Sequence, residues 1–168
     1  MIVLEVLGTP APKGSARAML IGGHARLIAS SSGRNETAQS RWATAVRKVA
    51  LAQTEEYADT PLRVVIEFRV ARPQGHFGSG RNATALKPSA PLAPTTKPDL
   101  DKLVRCTLDA LVTATKRGRV HHGIIDDDSR IVEVSASKVY AEYGRAGARV
   151  TIEEWQGRRL FTDEPDTQ

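Results

Sequence analysis

The residues with the most chemical potential in this sequence are aspartates in two short clusters. The first is Lys97-Pro-Asp-Leu-Asp-Lys102. Pro98 disfavours helix at Lys97, which makes Asp99 a natural N-cap for a helix starting behind it. Two carboxylates two residues apart diverge by about 200° when both are helical. At a loop-to-helix junction the cap residue is still extended, so both can converge on one point. The ordinary alternative is that Asp99 caps, Asp101 favours the helix dipole, and nothing binds. The second cluster, Asp126-Asp127-Asp128, stands between the apolar pair Ile124-Ile125 and a strand starting at Ile131. Turns favour Asp, but three in succession exceed what a turn needs. Two carboxylates ~4 Å apart repel by about 4 kcal/mol at an effective dielectric of about 20, so clustering them calls for a cation or a shared proton. All-oxygen donors without a Cys or His pair suit Mg²⁺, with Mn²⁺ as substitute. The helix between the clusters is short, and the chain is expected to fold back and bring Asp128 near Asp99 and Asp101.

Charge supplies the other half of the chemistry. The chain carries a net +5; residues 1–98 hold 13 Lys/Arg against 6 Asp/Glu, hence +7, and residues 99–168 hold 11 against 13, hence −2. A basic front half suits a polyanionic partner, although a solubilising surface reads the same way. Divalent ions on carboxylates promote phosphodiester hydrolysis, and nearby Lys and Arg hold the backbone phosphates. Nuclease is the simplest reaction class that joins both halves.

The elements that position these residues are α+β. A chain of 168 residues fits one domain with its own core. Residues 2–7 read as a buried strand, 18–28 as a hairpin around Gly22-Gly23, and 36–57 as a helix with the stripe Trp42, Ala45, Val46, Val49 and Ala50. Residues 62–70 alternate as a half-buried strand. Leu100, Leu103, Val104, Thr107, Leu108 and Leu111 mark a second helix, expected to end near Ala114 and to be closed by Lys116-Arg-Gly-Arg119. Residues 121–128 read as loop, then 131–140 and 148–155 as strands. A mixed sheet of short strands with two main helices follows. Residues 71–98 break every pattern, with five prolines, Arg72, Arg81, Lys87 and Lys97, and no acid. A long basic, mobile flap within one domain (residues 1–160) is expected, followed by an acidic, disordered tail at 161–168.

Other candidates carry less. Adjacent His121 and His122 point apart in most conformations, His24 and His76 are isolated, and Cys106 is a packing residue. That single cysteine excludes an internal disulfide and fits a reducing compartment. With no leader and no membrane-spanning run, the expectation is a soluble, cytoplasmic protein without an organic cofactor. Gly8-Thr-Pro-Ala-Pro-Lys-Gly14 has the wrong glycine spacing for a phosphate loop; Lys13 and Arg17 beside it are candidates to grip DNA backbone.

Lys97-Pro-Asp-Leu-Asp-Lys-Leu-Val-Arg-Cys-Thr-Leu-Asp-Ala-Leu111 resembles the RusA-family segment P-D-x-D-N-L-x-K with its apolar helix ending D-A-L. Ile125-Asp-Asp-Asp-Ser-Arg-Ile131 resembles the family's D-D-x-Q segment, and Ser137-Lys-Val-Tyr140 its later strand lysine. The start at Gly8–Gly14 is similar to the G-x-P-x-P-K opening of phage-type members. The resemblance implies a homodimeric, Mg²⁺-dependent endonuclease that cleaves four-way DNA junctions. It implies Asp99, Asp101 and Asp128 as catalytic, metal-binding carboxylates, with Asp127 as companion ligand. Two departures stand out: the family Asn is Lys102 here, and the family Lys is Arg105. Arg105 keeps the helical face and the charge but cannot transfer a proton. Candidate DNA contacts are Lys13, Arg17, Arg72, Arg81, Lys87, Lys97, Lys102 and Lys138. The competing readings are a non-catalytic branched-DNA-binding protein, a nuclease acting on flaps or forks, and a PD-(D/E)xK nuclease. The last lacks its strand-borne acid-x-Lys.

Overall fold

Alternation of apolar and polar residues writes the sheet, and apolar stripes on two helices cover one side of it. The computed structural model describes residues 1–14, 16–29, 33–53, 60–116, 118–141 and 144–157. The elements are β1 (Ile2–Leu7), β2 (Ala16–Ile21), β3 (His24–Ala29), α1 (Gly33–Ala50), β4 (Leu62–Val70), α2 (Leu100–Leu111), β5 (Ala114–Lys116), β6 (Arg119–His121), β7 (Ile131–Tyr140) and β8 (Gly147–Glu154). Four strands form one sheet in the order β1-β8-β4-β7. β4 and β7 are parallel; the other neighbours are antiparallel. The fold is α+β with a mixed sheet, as the pattern predicts.

The core lies between the sheet and the two helices. Ile2, Leu4 and Val6 of β1, Leu62, Val64, Ile66 and Phe68 of β4, and Ala148, Val150 and Ile152 of β8 are all buried. They meet Trp42, Val46 and Ala50 of α1 and Leu103, Cys106, Ala110 and Leu111 of α2. Cys106 is thus a packing residue. The uncovered face carries charge instead. Arg149 Nε reaches Glu5 at 2.8 Å, Arg69 bridges Glu5 and Glu67 at 2.9 Å each, and Arg63 bridges Glu153 (2.8 Å) and Glu133 (3.2 Å). Opposite charges across strands suit a solvated sheet face.

Several boundaries differ from the sequence expectation. α1 begins at Gly33 and ends at Ala50; Gln53 stands where the stripe needs an apolar residue, and Leu51 and Gln53 close the helix with bonds to Arg47 (2.9 Å) and Ala50 (3.0 Å). The rest of the expected helix, and the acidic tail, lie outside the described residues. α2 stops at Leu111 rather than near Ala114, because Val112 is already extended (φ −89°, ψ 140°). The segment expected to cap it is the β5–β6 hairpin, with Gly118 at φ 73°. β-Branched Val112, Thr113 and Thr115 prefer the extended chain.

Residues 71–98 have a scaffold of their own. Phe77 bridges Leu86, the Gly78 amide donates to Ala85 (2.9 Å), and the Lys87 amide to His76 (2.9 Å). The segment is pinned to the end of β7. The Arg72 guanidinium sits 3.8 Å from the centre of the Tyr140 ring, and His76 meets that ring edge-on at 5.6 Å.

A buried polar contact helps to tie the helices together. Trp42 Nε1 donates to Thr107 Oγ1 at 3.0 Å, with both residues buried. Thr107→Val leaves the indole N–H without an acceptor, and unfolding in urea is expected to show a loss of ~1–3 kcal/mol. Adding Trp42→Phe removes the stranded donor, so the double variant should lose less than the sum of the singles.

Candidate active site

The two aspartate clusters are built by different local devices. Asp99 is the extended N-cap residue of α2 (φ −69°, ψ 139°), and its backbone carbonyl accepts from the Leu103 amide at 3.2 Å. Its carboxylate makes no side-chain cap bond and instead faces Lys102 Nζ at 3.0 Å. The Lys102 hydrogen bond and charge hold the Asp99 carboxyl below its ordinary range, with Lys97 and Lys138 adding to the effect. Asp101 is exposed in the first turn of the helix, and Arg105 is exposed one turn further on. Asp99, Asp101, Lys102 and Arg105 therefore share the head of α2, as the motif predicts.

Asp126, Asp127 and Asp128 are held at the other end. Asp127 caps a short 3-10 turn, Asp128–Arg130, by accepting from the Ser129 amide at 2.8 Å. Its bonds with Ser129 are the main reason that its carboxyl is also depressed. Asp126 accepts from the Asp127 amide at 2.9 Å. The three acids line a cleft of about 500 Å³ with Lys13, Leu108, Asp109, Val112, Thr113, Ala114, Ile131 and Val134. Depressed carboxyls stay ionised until the pH falls below their lowered values, so Asp99 and Asp127, one at each end of α2, are both charged at neutral pH.

The fold-back expected from the sequence does not occur within the chain. α2 has 12 residues and is therefore about 18 Å long. At its tail the Thr113 amide donates to Ile125 (2.8 Å) and the Ile125 amide to Leu111 (3.1 Å). This pairing fixes Asp126–128 beside the last turn, a helix length from Asp99 and Asp101. Among the described residues no three His, Cys, Asp or Glu side chains gather as a metal-binding group. The donor chemistry still fits a hard cation. Mg²⁺ is commonly held by one or two carboxylates and substrate phosphate, with water filling the remaining positions. Asp99 and Asp101 at one end, or Asp127 and Asp128 at the other, supply such a pair.

The basic candidates divide in the same way. The Lys13 ammonium pairs with Asp109, and its amide donates to the Lys102 carbonyl at 2.9 Å, laying the N-terminal segment along α2. Lys87 Nζ donates to Gly75 (2.8 Å) and Arg72 Nη1 to Pro91 (2.9 Å), so both hold the 71–98 loop itself. Lys138 Nζ donates to Thr96 (2.7 Å) and Pro98 (2.9 Å). Arg81 and Lys97 are exposed. The Arg17 side chain lies outside what the structure describes.

Asp109 and Gly123 escaped sequence reasoning. Asp109 is legible in the sequence only as the first residue of the D-A-L helix end, and nothing there points to its pairing with Lys13. Gly123 does carry a signal, a glycine between His122 and the buried Ile124. A Cβ there would stand 2.0 Å from the Leu111 carbonyl oxygen, so only glycine lets the 122–126 segment pair with the end of α2. Gly123→Ala is expected to cost ~1–3 kcal/mol by overpacking, read as a lower urea midpoint, and to shift the amide resonances of 124–130.

Two comparisons bear on this site. Uncharacterized protein YqaN of Bacillus subtilis (strain 168) is 30% identical over 149 residues, spanning 86% of this chain and 91% of that protein. The family described as Endodeoxyribonuclease RusA matches residues 9–153, which include both aspartate clusters and the strands that frame them. The chain belongs to the RusA endodeoxyribonuclease family.

Proposed function

We propose that the protein is a Mg²⁺-dependent endonuclease, with Mn²⁺ as a substitute ion, that resolves four-way DNA junctions as a two-fold homodimer. The observation that carries this reading is the division of the carboxylates between the two ends of α2. Asp99 and Asp101 hold the ion at the head of one helix. Asp128, with Asp127 beside it, completes the set from a second copy packed antiparallel, which brings the tail of one α2 to the head of the other. The ion supplies Lewis-acid activation of water and of the scissile phosphate. Arg105, one turn from Asp101, stabilises the negative charge that develops on the phosphate, and Lys102 keeps Asp99 ionised. Leu108, Val112, Ile131 and Val134 in the cleft wall offer apolar surface for the second copy. Two matched sites from one isologous interface suit two nicks related by two-fold symmetry.

Complementation separates a shared site from one within a chain. Asp101→Asn and Asp128→Asn homodimers are each expected to cut a synthetic junction at least a hundredfold more slowly while binding it normally. Remixed in equal amounts, they form heterodimers in which one site regains both carboxylates. Nicking is then expected to return to roughly a quarter of the wild-type rate. No recovery after verified subunit exchange places all the carboxylates in one chain. Cleavage of linear duplex or flaps in preference to junctions redirects the substrate.

The 71–98 loop is assigned to a DNA arm, with Arg81 and Lys97 as its phosphate contacts. Neutralising both should flatten the log–log salt dependence of binding by up to about 0.9 per lost contact. Neutralising Arg72 and Lys87, which hold the loop, should loosen it without that stepwise change in slope. Equal slopes in wild type and the Arg81/Lys97 variant exclude the loop from the DNA surface.

A further inference from the structure

Lys138 stands in β7 opposite Phe68 of β4, and hence on the sheet face that the helices cover. Its half-buried ammonium gives two of its three donors to backbone carbonyls, Thr96 at 2.7 Å and Pro98 at 2.9 Å. These carbonyls lie on either side of the Lys97-Pro98 link, just ahead of Asp99. From this geometry we propose that Lys138 is a positioning residue for the active-site carboxylates. It clamps the 96–98 turn so that Asp99 leaves it extended and Asp101 follows in the first turn of α2.

The approach to Asp99 has little else to hold it. Among the described residues no backbone–backbone hydrogen bond outside the helices and strands reaches residues 92–98. Pro94 and Pro98 have no N–H to give. Asp99 makes no side-chain cap bond, so the usual device for fixing the first turn of a helix is absent as well. The ammonium of Lys138 fills this gap with charge-assisted bonds, stronger than neutral ones. It stands near the carboxyl end of β7, the longest of the described strands, which is paired along its length with β4. The rigid sheet thus sets the position of the 92–98 segment, which has few bonds of its own. The sequence suggested a different role for Lys138, a phosphate contact, and the two roles separate experimentally.

The inference rests on the proposed placement of the metal-binding carboxylates at the head of α2. The experiment compares wild type, Lys138→Met and Lys138→Arg in three measurements. These are single-turnover cleavage at saturating junction, junction Kd against salt with Ca²⁺, and amide hydrogen exchange of the free protein. A clamp predicts that Lys138→Met cuts 10- to 100-fold more slowly, the range typical for residues that orient ligands from behind. Its Kd and salt slope stay at wild-type values, exchange across 95–103 quickens, and exchange in β4 and β8 does not change. Lys138→Arg, which keeps the donors, should recover part of the rate. Weakened binding with a slope lower by about 0.9 and an unchanged rate at saturation makes Lys138 a DNA contact and overturns the clamp. If wild type cuts no junction, the functional reading fails by itself. Hydrogen exchange then decides the clamp: faster exchange at 95–103 supports it, and unchanged exchange overturns it. Should Lys138→Met unfold, Lys138→Gln serves the same comparison.

Discussion

β4 and β7 lie side by side and run parallel, and this pairing fixes where the chemistry can sit. Parallel neighbours cannot be joined by a hairpin; the chain must leave the end of one strand and travel back along the sheet before the next begins. Here the outward part of that journey is the 71–98 loop and the return is α2. The head of α2 consequently lies at the carboxyl ends of both strands, within reach of Lys138. Its tail lies beside the start of β7, where Ile125 pairs with the last turn. The separation of the two aspartate clusters follows from topology, and no local change of loop conformation would remove it.

The same sheet explains how a basic chain spends its charge. One face is apolar and buried under α1 and α2; the other is a ladder of Arg and Glu from four strands. Such exposed pairs contribute about 0–1 kcal/mol each, so they favour strand register more than they stabilise the fold. They also take Arg63, Arg69 and Arg149 out of the pool of free cations, as Asp109 does Lys13. Because Arg63 and Lys13 pair with acids beyond residue 98, the positive surface available to a polyanion is narrower than a count of +7 over residues 1–98 suggests.

The sequence made some of this legible and hid the rest, for identifiable reasons. β4 and α2 were readable because their apolar residues repeat with the period of the structure. Asp99 and Asp101 were readable because proline and a cap residue mark a helix start by local chemistry. The strand order and the parallel pairing of β4 with β7 are set by contacts between distant segments, and no local pattern records them. The β5–β6 hairpin is three residues a side, too short for alternation to register. The architecture of 71–98 was hidden because it depends on the Tyr140 ring and the Lys138 ammonium, both supplied by a strand about 40 to 70 residues further along the chain. The distance from Asp101 to Asp128 is hidden for a related reason: the tail of α2 is locked in place by Gly123 and Ile125, contacts that no local pattern records.

A divided carboxylate set also makes physical sense for a single chain. Gathering three aspartates near one point without a cation would cost several kcal/mol of repulsion, whereas the observed arrangement keeps the clusters a helix apart and gives each a partner. Lys102 neutralises Asp99, and the Ser129 amide satisfies Asp127. Among the described residues each cluster thus has a partner for one of its carboxylates without any metal. If a second copy brings head and tail together, the repulsion reappears at the interface, and a divalent ion is what relieves it. Ion binding and pairing would then favour each other by mass action. Hydrolytic competence would be confined to the state in which two copies, two ions and a substrate of matching symmetry are present at once.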